Sequence, residues 1–158
     1  MATQMTILFP DFKEFLRLLN THSVRYVLLG GYAVNFYGYR RTTGDLDVWI
    51  STDAVNAEQV SKALIAFGFK PSSVPASIFT EQGKLFRFGV APVRIELLTL
   101  PSGVEFEACY AARTQATLDG VDVSIISLHD LRQKKLPARD PRTYSTSLNC
   151  LMHEACCG

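Results

Sequence analysis

No stretch of the chain approaches the roughly twenty consecutive apolar residues that a membrane-spanning helix needs. The opening MATQMTILF has no charged segment followed by a long apolar one, so no secretory leader is expected. An excess of one charge is missing too: 16 Lys and Arg stand against 15 Asp and Glu, a formal net of +1. That balance neither demands nor excludes a nucleic-acid partner, because net charge does not report where charge is concentrated. Cysteine is too unevenly placed for a disulfide framework. Of Cys109, Cys150, Cys156 and Cys157, three crowd the last nine residues. Cys156 and Cys157 near His153 fit no standard zinc spacing. They read instead as a reduced tail, which suits a cytoplasmic protein. Internal repeats and low-complexity linkers are absent as well. A soluble, cytoplasmic protein with no membrane association is the expectation.

What is present fits one domain. The 158 residues are 47% hydrophobic and 20% charged, enough apolar material for a core without staples. Phe12, Phe15, Leu16 and Leu19 recur at helical spacing in DFKEFLRLLN, with Asp11 as an expected cap and Pro10 preventing an earlier start. VRYVLLGG reads as a buried strand over Val24 to Leu29 ended by a glycine turn, and YAVNFYGY as a short helix ended by Gly38. Asp45 to Ile50 is a second strand. Asn56 to Phe67 is an amphipathic helix with Gly68 as its C-cap. PSSVPAS is a loop. KLFRFGV and VRIELLTL form two antiparallel strands around a turn containing Ala91 and Pro92. GVEFEACYAAR is a short helix, ATLDGVDVSII a hairpin about Asp119-Gly120, and Ser127 caps a final helix, SLHDLRQKK. The order α-β-α-β-α-β-β-α-β-α predicts an α/β (α+β) domain, a single mixed β-sheet packed by helices.

Three features carry chemistry. Gly30-Gly31 ends an apolar strand and opens a helix, where glycine lets backbone approach a ligand and free N–H groups suit a phosphate. Taken alone, such a pair is also an ordinary turn. Asp45 and Asp47 alternate with Leu46 and Val48, so both carboxylates share a strand face, roughly 6–7 Å apart. Like charges so placed repel unless a cation lies between them or one is protonated, and a hard divalent cation suits oxygen donors. An isolated pair of this kind is also compatible with solvated acids at a strand end. Glu96 lies within the apolar VRIELLTL, where an unpaired carboxylate is costly. Arg94 on the same strand face, or a shared metal, would account for it.

Together, LLGG, the intervening residues, DLD and IELL resemble the nucleotidyltransferase superfamily that includes DNA polymerase β. The stretch VRYVLLGGYAVNFYGYRRTTGDLDVWI, with RIELLTLPSGVEFEA and ISLHDLRQKK, looks like the minimal nucleotidyltransferases of bacterial toxin–antitoxin and abortive-infection systems. The resemblance covers about residues 6 to 135. It implies a nucleotidyltransferase-like fold over 1–135 and an enzyme that moves NMP from an NTP, with ATP the expected donor. The acceptor would be a hydroxyl on a protein, a tRNA or a small molecule. It also implies that Asp45, Asp47 and Glu96 hold Mg²⁺ or Mn²⁺, and that Glu96 helps activate the attacking hydroxyl. Gly30 and Gly31 would cradle phosphate. Arg41 and Thr43 match residues that flank the acidic strand in the group, Arg41 as a phosphate contact. Lys134 or Lys135 matches a lysine on its last helix. Glu96 departs from the Asp more usual there.

Beyond Lys135 the resemblance stops, and 136–158 is an atypical tail. Back-translated from the last base of the Lys135 codon, permitted codons can encode AAGTGPKDLFDLLEL, which resembles the family ending. A frameshift is therefore the expectation, and the DNA sequence of the gene decides it. Loss of that helix would expose apolar surface and favour a homo-oligomer. A partner toxin protein could supply the acceptor surface. The competing expectation is a non-catalytic, antitoxin-like binding module or an inactive remnant.

Overall fold

The computed structural model describes residues 8–38, 45–90, 92–99 and 103–133. Pro10 is the first residue of helix α1 (Pro10–Thr21), with Phe9 at the N-cap position and no side-chain cap. Asp11 therefore lies inside the first turn rather than capping it, where its charge complements the helix dipole. The reason is local: proline's fixed φ suits the first helical position, so the helix starts on it. After α1 the chain turns through Ser23 at φ 54, and strand β1 is confined to Tyr26–Leu29, two residues shorter than expected.

Helix α2 (Gly30–Phe36) follows without a loop, so both glycines lie in its first turn. Strand β2 (Asp45–Ile50) has the expected bounds. Helix α3 (Ala54–Phe67) begins two residues before the expected start because Asp53 caps it, accepting the Asn56 backbone N–H at 3.3 Å. The Asn56 side chain ties together the residues just before β1 and just after β2. It accepts the Arg25 N–H at 2.7 Å and donates to the Ser51 carbonyl at 3.0 Å. Removal of the cap with Asp53→Ala is expected to lower stability by about 1 kcal/mol, read as a shift of the urea midpoint at unchanged slope. Gly68 closes α3 at φ 136, as expected.

The segment expected as a loop contains two short 3₁₀ turns, Pro71–Ser73 and Ala76–Thr80. Strands β3 (Lys84–Val90) and β4 (Val93–Thr99) pair antiparallel. Helix α4 (Gly103–Ala111) then leads to the hairpin of β5 (Thr114–Leu118) and β6 (Val121–Ile125). Its two-residue loop has Asp119 at φ 50 and Gly120 at φ 80, the left-handed pair a tight hairpin requires. Ser127 caps α5 (Leu128–Gln133), its hydroxyl accepting the Asp130 N–H at 3.1 Å.

The six strands among the described residues form one mixed sheet in the order β3-β4-β2-β1-β6-β5. β2 and β4 are parallel, as are β1 and β6, while β1–β2, β3–β4 and β5–β6 are antiparallel. Directly paired residues share a face of a sheet, so the register separates two sides. One carries Leu46, Val48, Ile95, Leu97, Phe86 and Phe88. It is the main core, where Phe15 of α1 meets Phe88 at 5.3 Å and Phe67 at 5.4 Å between ring centroids. The other side carries Asp45, Asp47 and Trp49 with Arg94, Glu96 and Leu98. There Phe106 of α4 packs edge-on against Trp49 at 5.3 Å. No helix among the described residues is long and apolar enough to cross a membrane.

Candidate functional site

The acidic residues converge because β2 and β4 are parallel neighbours. Asp47 lies directly opposite Glu96, and Asp45 opposite Arg94. Adjacent strands run about 4.8 Å apart, so two residues separated by nearly fifty positions become closer than two alternate residues of one strand. Both Asp47 and Glu96 are buried, at 5% and 2% exposure, whereas Asp45 is half-buried at the strand's start. Carboxylates held this close in a medium of low polarity repel strongly.

β1 brings in the glycines. Leu29, its last residue, is opposite Asp47, and the chain turns into α2 at Gly30. Gly30 has φ 64, and a Cβ there would overlap the Asp47 carboxylate, lying 3.1 Å from its Cγ. Only glycine meets both demands: the left-handed backbone and the contact with Asp47. Gly31 sits beside it, half-buried, in the same helical turn. The glycine turn and the acidic strand are thus one packed unit.

Glu96 has a cationic partner, and it is Arg87 on the edge strand β3. The register pairs the two residues directly, and Arg87 Nε and Nη2 each lie 2.8 Å from Glu96 Oε1. Arg94 on the same strand was one of two explanations the sequence offered for Glu96, a shared metal the other. The cross-strand position is nearer, since residues two apart along a strand are separated by about 6.6 Å and paired residues by about 5 Å. Arg87 was not singled out from the sequence. The signal was available: a two-residue turn that pairs Val90 with Val93 continues to Arg87 opposite Glu96.

A row therefore runs across the sheet from β1 to β3: Leu29, Asp47, Glu96, Arg87. Next to it run Asp45, Arg94 and Gly89. Neither family models nor curated proteins match the chain. The chemical reading of the site consequently rests on its own residues.

The donor set is suited to a hard divalent cation, being entirely carboxylate oxygen. Among the described residues no three His, Cys, Asp or Glu side chains are grouped as a metal site. Glu96 Oε1 is engaged by the Arg87 guanidinium, so a cation shared with Asp45 and Asp47 would compete with Arg87 for that oxygen. Asp45, Asp47 and Glu96 share a face and a chemistry suited to such an ion, without being gathered into a group that holds one. Arg41 and Thr43 lie outside the described residues, as do Lys134, Lys135 and the segment 136–158.

Proposed function

We propose that the chain is a metal-dependent nucleotidyltransferase that transfers a nucleoside monophosphate from an NTP to an acceptor hydroxyl. The observation that supports this reading is the packing of Gly30 against the Asp47 carboxylate, with Glu96 opposite Asp47 in register. A glycine turn that merely reversed the chain would have no need to abut a buried acid, and solvated acids would not be buried side by side. A bound Mg²⁺ or Mn²⁺ supplies charge neutralisation and alignment of the phosphates. Asp45 and Asp47 would hold it, and Glu96 would complete the set and help activate the attacking hydroxyl. The acceptor oxygen bonds to the α-phosphorus as the bond to the departing diphosphate breaks. Gly30 and Gly31, in the first turn of α2, have backbone N–H groups with no partner inside the helix and offer them to phosphate.

ATP is the donor in this reading, and the acceptor is a protein, a tRNA or a small molecule in the cytoplasm, within a toxin–antitoxin pair. Calorimetric titration with ATP, GTP, CTP and UTP, in Mg²⁺ and then in EDTA, tests it. Metal-dependent binding is expected for the native chain and is expected to vanish in the Asp45→Asn/Asp47→Asn double variant. Folded native protein that binds no NTP would sink the enzyme reading.

The Arg87–Glu96 pair favours a second reading, a non-catalytic module that occludes a partner toxin, because one acid of the set is already compensated by a fixed cation. Asp47→Ala separates the two in cells: loss of function with the fold intact points to catalysis, and retained function to occlusion.

A further inference from the structure

The two edges of the sheet are built differently. β3, at one edge, carries Lys84 and Arg87 and enters the left-handed region at Gly89, φ 92. Charges and irregular backbone keep an open strand edge from pairing with another chain. β5, at the other edge, has neither. Thr114–Leu118 reads TQATL, without charge, proline or glycine, and all five residues pair with β6 in unbroken register. Among the described residues no strand lies outside it.

The register decides which groups face outward. The two-residue turn makes Leu118 and Val121 a bonded pair, because its first carbonyl accepts the N–H three residues on. Bonded and non-bonded pairs alternate along an antiparallel ladder. Thr114, Ala116 and Leu118 therefore bond to β6, while Gln115 and Thr117 direct their N–H and C=O groups to the open edge. The side chains of these two are exposed, on the face away from the main core, and Ala116 packs against that core.

We infer that the β5 edge joins two copies of this chain, antiparallel about a two-fold axis at Ala116. In that register Gln115 of each copy pairs with Thr117 of the other, and each pair exchanges both backbone bonds. Ala116 meets its own counterpart in a non-bonded pair, where strands approach most closely and a small side chain fits. Charge supports the same register. It sets Arg113, just before β5, level with Asp119 of the second copy, just after it. Arg113 donates to the Tyr110 carbonyl at 2.8 Å and stacks on the Tyr110 ring at 3.8 Å, and has no acidic partner among the described residues. Asp119 meets Lys13 at 3.7 Å and keeps its side chain 32% exposed. A patch that pairs with itself closes as a dimer and goes no further. The inference is independent of the nucleotidyltransferase reading.

Sedimentation velocity of the full chain over a range of concentrations tests it, in the native protein and two double variants, with folding verified by circular dichroism. Both substituted side chains are exposed, so the hairpin itself is spared. The native chain is expected to dimerise. Gln115→Lys/Thr117→Lys sets lysine opposite lysine in both pairs and is expected to weaken the dimer about tenfold. Gln115→Glu/Thr117→Lys sets opposite charges there and is expected to hold the dimer at native strength or tighter. Thr117→Pro, which removes only an outward N–H, carries the test if the double-lysine variant does not fold. A native chain that stays monomeric overturns the inference. So does a dimer equally strong in all variants, since the copies would then meet elsewhere. Loss of the dimer in both double variants overturns the register and the inference with it.

Discussion

Gly30→Ala is expected to lower the unfolding free energy by about 2–5 kcal/mol and to remove metal-dependent nucleotide binding. Two costs combine. A left-handed backbone costs a residue with a Cβ about 1–2 kcal/mol, and Gly30 has φ 64. The added methyl must also displace the buried Asp47 carboxylate, an overpacking term of about 1–3 kcal/mol. Gly83→Ala isolates the first cost. Gly83 has φ 73 with nothing within 4 Å of an added Cβ, so left-handed strain alone applies there. Urea denaturation of the two variants gives the difference directly. Equal losses would mean that Gly30 does not press on Asp47, and the observation supporting the proposed function would fall.

Phe15→Ala is expected to cost about 3–5 kcal/mol, the usual loss for a large aromatic removed from a core that cannot collapse around the gap. Phe15 is fully buried and packs edge-on against both Phe67 and Phe88, tying α1 and the end of α3 to the edge strand β3. Phe15→Leu, which keeps most of the volume, is expected to cost less than about 1.5 kcal/mol. Because Phe88 faces away from Arg87 and Glu96 on the paired strands, nucleotide affinity measured below the melting transition is expected to stay native in both variants. A drop in affinity parallel to the loss of stability would show that the two faces of the sheet are not independent.

Several elements were legible from neighbouring residues alone. Strand β2 has the bounds that the alternation in DLDVWI implies, and Asp119-Gly120 forms the tight turn its two residue types favour. The Ser127 cap and the Gly68 stop are equally local. Where the reading missed, local competition decided the outcome. Pro10 outranked Asp11 at the start of α1, and Asp53 moved the start of α3 back to Ala54. The candidate site was half legible. That Asp45 and Asp47 share a face follows from the period of a strand. That Gly30 touches Asp47 does not, since it requires β1 and β2 to pair antiparallel with Leu29 opposite Asp47.

Sequence by itself determined the class of the fold, a mixed sheet with helices, and the identities of the acids and glycines, because periodicity, turn chemistry and caps act over a few residues. Tertiary structure alone decided the order β3-β4-β2-β1-β6-β5 and the pairing of Asp47 with Glu96. The physical reason is distance. Charge–charge and packing energies depend on separation in space, and in a sheet the nearest neighbour of a side chain is across the strand boundary, which for Asp47 and Glu96 lies tens of residues away along the chain.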